Sequence, residues 1–302
     1  MSTIFATRRG FLYQDKFVVL SFLSYLISKS ILEIYIDYPF NSPGQRSMDL
    51  RLLFSNGDQI IERVFSIKTG ESYKNDMQTT DSTQIKESFE ELKIYDALPR
   101  ATSAQLEMIL VISPPLKGRI SDCWTQLKKV EGKSIYVGEA KIAIDWLYTY
   151  LGMAEFPNQR TMFGFLKKIK IMDSYSDSPD SQAEEEAPLD DMIIRKIQKL
   201  IKELGAHSSE YQLPTDLLMY QMIHACQKNA GTGVDIVPIL TDILIRFCTQ
   251  RLMINTNRTG KFEKVYEDVQ RMFENWKKSI PVVIPASEIP AITESPEGGT
   301  IT

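Results

Sequence analysis

The sequence predicts an α/β fold with a mixed central sheet, followed by a small all-α domain. Three observations carry this. Apolar runs at 47–54 and 59–68 flank Asn56-Gly57, the strongest short-range signal for a tight β-hairpin. Residues 106–113 form a nearly continuous apolar run stopped by Pro114-Pro115, as expected of a strand covered on both faces. From 173 to 190 the chain is acidic and rich in Ser and Pro, with Glu184-Glu185-Glu186 and few large apolar residues, and helical patterns follow it.

The remaining elements follow in order. Residues 13–30 are apolar around much of the helical circumference, which predicts a mostly buried helix. Residues 31–38 alternate and are rich in Ile and Tyr, which predicts a strand. Two prolines and a glycine make 39–45 a loop. Residues 78–98 place Ile85, Phe89, Leu92 and Tyr95 at helical spacing, and Pro99 ends that helix. Helices are expected near 117–130, 140–151 and 157–171, with a short strand at 134–137. Four more are expected at 189–205, 214–229, 234–254 and 260–279, where Gly, Pro and Asn separate them. The chain thus divides into 1–172, a flexible acidic linker at 173–190, a helical domain at 191–280 suited to oligomerisation or partner docking, and a disordered Pro/Glu/Gly/Thr tail at 281–302.

Composition narrows the chemistry. The 302 residues are 43% hydrophobic, enough for one sizeable core. The net charge of −4 supplies no global field for nucleic acid, so any such contact must be a local patch. The start of the chain does not resemble a signal peptide, and no apolar run is long enough for a membrane span. Cys123, Cys226 and Cys248 form no CxxC pair and read as reduced thiols of a cytoplasmic protein. With only His207 and His224, histidine-based metal centres are disfavoured, and catalysis would depend on carboxylates, lysine and a hard metal ion. Gly231-Thr232-Gly233 lacks the Lys-Ser/Thr ending of a phosphate loop and reads as a helix connection.

The hairpin carries the candidate chemistry. Asp49 opens its first strand and Lys68 ends its second. A carboxylate on one strand and a lysine on the next are the minimal parts of a metal-dependent phosphodiesterase site. Period-two geometry puts Glu62, Ser66 and Lys68 on one face, but Glu62 is about 20 Å from Lys68 along an extended strand. Gln14 on the first helix could add a polar ligand, and Glu33 could approach from a neighbouring strand. Arg8 and Arg9, ahead of a helix start, are candidate phosphate contacts.

The order helix, strand, strand, strand, helix, strand over residues 9–115 resembles the core of the PD-(D/E)xK nucleases. Gly10-Phe11-Leu12-Tyr13-Gln14 fits a Gly-x-x-(Tyr/Phe)-Gln helix start. That start is similar to the double-stranded DNA endonuclease domain of bacterial anti-phage effectors, including those paired with cyclic-oligonucleotide signalling enzymes. The resemblance implies a restriction-endonuclease-like αβββαβ core, a Mg²⁺ (or Mn²⁺) cofactor and double-stranded DNA as substrate. It further implies Asp49 as metal ligand and Lys68 as the residue assisting the attacking water, with Gln14, Glu33 or Ser66 completing the shell. The third-strand motif of that subgroup is Gln-x-Lys or Glu-x-Lys, whereas this chain has Ser66-Ile67-Lys68. A neutral serine there leaves one anionic ligand unassigned. The alternative expectation is a nuclease-fold subunit with a degenerate site, acting as a DNA-binding or scaffold part of a defence complex.

Overall fold

The computed structural model describes residues 3–39, 47–69, 80–98, 104–113, 119–129, 139–150, 158–173, 187–204, 214–256 and 261–279. It is an α/β structure built on one five-stranded mixed sheet in the order β1-β2-β3-β4-β5. The strands are β1 (Ile31–Pro39), β2 (Ser47–Asn56), β3 (Gln59–Thr69), β4 (Gln105–Ser113) and β5 (Ile169–Asp173). β1–β2 and β2–β3 pair antiparallel, whereas β3–β4 and β4–β5 pair parallel.

The hairpin forms where the sequence places it, with Asn56 opposite Gln59. Its two loop residues are therefore Gly57 and Asp58, one position later than an Asn-Gly turn. Gly57 sits at φ +61°, a left-handed conformation that glycine adopts without Cβ strain. β4 occupies the interior between two parallel neighbours, and Met108 to Ile112 are all buried. One strand departs from expectation. The helix expected to run to 171 ends at Lys168, and Ile169 turns extended at φ −87°, ψ 128°. Ile169-Lys170-Ile171 alternates with period two, so the same residues suit an edge strand, and Lys170 pairs across to Glu107 at 3.2 Å. The strand expected at 134–137 lies outside the described residues.

Helices cover both faces. On one lie α2 (Thr80–Ala97), α3 (Arg119–Lys129), α4 (Glu139–Tyr150) and α5 (Gln159–Lys168), which share a core with Val64, Met108, Leu110 and Ile112. On the other lies α1 (Thr3–Ile27), which begins ten residues before the expected start. Its residues Phe17 to Leu20, Phe22, Leu23 and Leu26 are all buried. A helix apolar around its circumference must be covered on several sides. The sheet covers one side of α1. Helices α6 (Ala187–Glu203) and α7 (Thr215–Asn229) cover another.

The helices that the sequence sets apart as a second domain therefore share one core with the sheet. α6 presents Leu189, Ile193, Ile197, Leu200 and Ile201 to it, and the buried Lys16 of α1 pairs with Asp190 at 3.1 Å. α8 (Val237–Thr256) contacts β1, and α9 (Phe262–Lys278) packs on α8. The acidic segment 174–186 and the tail 280–302 lie outside the described residues. No described helix is long and apolar enough to cross a membrane.

Phe22, fully buried in the C-terminal part of α1, tests this shared core. Phe22→Ala is expected to lower stability by about 3–5 kcal/mol. A urea unfolding curve measures it, and unfolding of helices and sheet is expected in a single transition.

Candidate functional site

Three elements meet where the β2–β3 ladder ends. The pairing runs from the hairpin turn to Leu50 opposite Phe65. β3 continues alongside β4 as far as Thr69. Beyond Leu50 the side chain of Asp49 takes over from the backbone, and its Oδ2 accepts the Ile67 amide at 2.5 Å. That bond fixes the carboxylate at the strand end and aims it along β3. Lys68 Nζ lies 3.8 Å from the same oxygen.

A second carboxylate beside Lys68 comes from α2. Glu91 Oε2 lies 3.5 Å from Lys68 Nζ, and Ser66 donates its hydroxyl to that oxygen at 3.2 Å. Ser66 on β3 thus holds a carboxylate supplied by a helix. The helix register explains the reach. Ile85, Phe89, Leu92 and Tyr95 seat α2 on the sheet, which puts Glu91 on the flank over the end of β3. Asp49, Lys68 and Glu91 keep side-chain exposures of 19%, 18% and 14%, enough for contact with solvent.

A fourth group approaches from β1. Ile36 pairs with Leu50 and Tyr38 with Met48, which sets Asp37 opposite Asp49. Asp37 has φ +47°, a left-handed backbone that costs a non-glycine residue of order 1 kcal/mol. Gln14 of α1 bridges the two strands. Its Nε2 donates to Asp37 Oδ1 at 2.9 Å and to the Asp49 carbonyl at 3.0 Å. One residue on, the buried carboxyl of Asp15 faces α7, where the Gln227 side chain hydrogen-bonds it; burial pushes this carboxyl up to about 7, and Asp37 adds repulsion.

The electrostatics follow from burial. Desolvation pushes the Asp49 carboxyl up to about 6. Lys68 and the Ile67 amide pull it down, while Glu91 and Asp37 push it up. Asp37 is raised mainly by burial, against Gln14 and Lys68. Several carboxylates thus crowd one lysine.

Of the residues expected at the site, Asp49, Lys68, Ser66 and Gln14 are brought together, and Glu33 is not. Glu33 pairs with Leu53, four residues from Asp49 along β2, or about 13 Å. Its carboxylate accepts from Tyr35 and lies 3.9 Å from Arg51. Glu62 is likewise engaged in a buried network, bonded to Arg51 Nε at 2.6 Å and to the Tyr95 hydroxyl at 2.8 Å. Arg8 and Arg9 lie inside α1 rather than ahead of it, and their side chains fall outside the described residues. Glu91 and Asp37 were missed. Strand counting could have found Asp37, which shares a face with Glu33 and Tyr35. Choosing Glu91 over Glu87 or Glu90 requires the placement of α2.

The donor set suits a hard divalent cation in kind, since Asp49 and Glu91 offer carboxylate oxygens and Mg²⁺ is commonly held by one or two carboxylates plus water. Among the described residues no group of three His, Cys, Asp or Glu is gathered closely enough to hold an ion alone. Any ion at Asp49 and Glu91 would therefore complete its coordination with water or substrate oxygens.

No protein-family model matches the chain, and no curated protein does. Among solved structures it is similar to the Acinetobacter baumannii Cap4 SAVED/CARF-domain containing receptor with the cyclic trinucleotide 3'3'3'-cAAA, at 14% identity and a TM-score of 0.44. The similarity covers 87% of this chain and 46% of that one, so this chain spans about half of that receptor's length. A likeness this distant transfers neither fold nor role.

The Asp49 shift sets a pH dependence with a definite sign. A carboxyl raised from 3.8 to about 6 binds its proton more tightly folded than unfolded. Its contribution to stability is greatest below pH 4, declines between about pH 4 and 6, and is constant above. Metal-free protein is expected to lose stability across that window relative to Asp49→Asn. Urea midpoints of the two proteins at a series of pH values measure this.

Proposed function

We propose that this chain is a Mg²⁺-dependent endonuclease of double-stranded DNA, built on a PD-(D/E)xK-like core and serving a cytoplasmic prokaryotic anti-phage system. The observation that carries this is the convergence of Asp49 and Glu91 on Lys68 at the end of paired strands. The defence role rests on the resemblance of the Gly10–Gln14 motif, which lies within α1, and of the order of elements. Partner docking through the C-terminal helices, and phosphate contact by Arg8 and Arg9, belong to the same reading.

Asp49 and Glu91 would hold the ion, and Lys68 would stand beside the scissile phosphate. Bound there, Mg²⁺ would lower the pKa of a coordinated water and clamp phosphate oxygens. The chain's own residues supply the rest. The Ile67 amide fixes the Asp49 carboxylate, so the ligand needs no reorganisation during the reaction. Ser66 orients Glu91 by a hydrogen bond that a third-strand acid would not need. The Lys68 ammonium would place positive charge where the phosphate gains negative charge and would orient the attacking water.

A second reading is favoured by one observation. Lys68 lies within salt-bridge distance of both carboxylates, and among the described residues no three-ligand cluster exists. The same residues could then be a structural ion triad in a DNA-binding or scaffold subunit.

Plasmid cleavage with Mg²⁺ or Mn²⁺ separates the readings. Asp49→Ala, Lys68→Ala and Glu91→Ala are each expected to lower the cleavage rate at least about a hundredfold, in the range for loss of a group acting on the transition state. Glu33→Ala is expected to leave it within about twofold, as for surface changes away from a site. Equal activity in Glu91→Ala and the unaltered protein would remove α2 from the site, and absence of cleavage with either metal would favour the scaffold.

A further inference from the structure

The strand carrying Asp37 is an edge strand of the sheet, yet part of its outer side is paired. The chain between α7 and α8 lies along it. Gly231 donates its amide to the Ile36 carbonyl at 3.1 Å, and Ile236 donates to the Ile34 carbonyl at 2.9 Å. Asp235 Oδ1 accepts the Ile34 amide at 2.9 Å and the Val237 amide, at the start of α8, at 3.1 Å. A single side-chain oxygen thus joins β1 to the first turn of a helix. The turn is shaped for this, since Gly231 and Gly233 sit at φ +71° and +70°.

These bonds end one residue before a strained one. Asp37 directly follows Ile36 and holds a left-handed backbone. Such conformations persist when the surroundings over-determine them, and they gather at working sites. Here the α7–α8 turn holds one side of Asp37, and Gln14 holds its carboxylate from the other while also gripping the Asp49 carbonyl.

We infer that the turn at 229–237 is a clamp that positions the Asp37–Gln14–Asp49 contacts, with Asp235 as its positioning residue; this rests on reading Asp49 and Lys68 as the reaction centre. The clamp makes the C-terminal helices part of the site without any of their residues touching substrate. α7 and α8 share a core with α1 and β1, which keeps the turn against the strand. The clamp also gives any partner that shifts α8 a direct path to the carboxylates.

The test compares three full-length variants. Asp235→Ala removes the shared acceptor. Asp235→Asn keeps an oxygen able to accept both amides. Val269→Ala, buried on α9 where it packs against α8, destabilises the helices at a distance from β1. Amide exchange read by mass spectrometry on peptides spanning 31–39 is expected to rise about tenfold in Asp235→Ala and to stay within about twofold in the other two. Mn²⁺ affinity by calorimetry is expected to fall about tenfold in Asp235→Ala alone, the scale seen when a supporting group behind a metal ligand is lost. Unchanged exchange in Asp235→Ala, or exchange and affinity equal to those of Val269→Ala at matched loss of melting temperature, overturns the clamp. If the unaltered protein binds no Mn²⁺, the reading of the centre fails, and the exchange at 31–39 still decides the clamp by itself.

Discussion

The arrangement depends on one hydrogen bond, from the Ile67 amide to the Asp49 carboxylate. It forms where the β2–β3 ladder stops, and it substitutes a side chain for the next backbone partner. Two consequences follow. The carboxylate is fixed in a partly desolvated place, which raises its proton affinity. Lys68, one residue past the donor, comes to the same oxygen. A strand pair that continued in register would have satisfied the Ile67 amide with a carbonyl and left Asp49 free to solvent.

Around this bond the fold gathers carboxylates from three elements and one cation. Burying like charges together is unfavourable unless something compensates. Lys68 compensates Asp49 and Glu91, and Gln14 and Lys68 compensate Asp37. A cluster held in this way costs stability, which a fold retains for chemistry or specificity rather than for strength. The neighbouring Arg51–Glu62–Tyr95 network shows the contrast, being buried and mutually bonded, with a fixed pairing on the same face of the sheet.

Much of the fold was legible from period and punctuation. The hairpin, the central strand at 106–113 and the helix carrying Phe89 and Leu92 lie where apolar spacing and Gly or Pro placed them. The early start of α1 was not legible, because its first ten residues are mixed in polarity and carry two arginines. β5 was not either, since Ile169-Lys170-Ile171 suits a helix or a strand until a parallel neighbour claims it. Asp49 and Lys68 were legible as strand-end charges. Glu91 was hidden among the acids of α2, since sequence gives a helix its phase but not its height above a strand. Glu33 was misplaced for a related reason, because strand register, rather than proximity in sequence, decides which acid faces Asp49. The acidic break at 173–190 suggested separate domains, yet a helix as uniformly apolar as α1 needed more cover than one sheet face provides.

The position of a bound divalent cation decides whether Asp49 and Glu91 form a metal site. Crystals soaked in Mn²⁺ and measured at the manganese absorption edge would reveal any bound ion by its anomalous signal. A peak ligated by the carboxylates of Asp49 and Glu91 is expected, with Lys68 drawn aside and water in the remaining positions, and that peak is expected to be lost in Glu91→Gln. No peak at these carboxylates, with Lys68 still between them at saturating Mn²⁺, would contradict it.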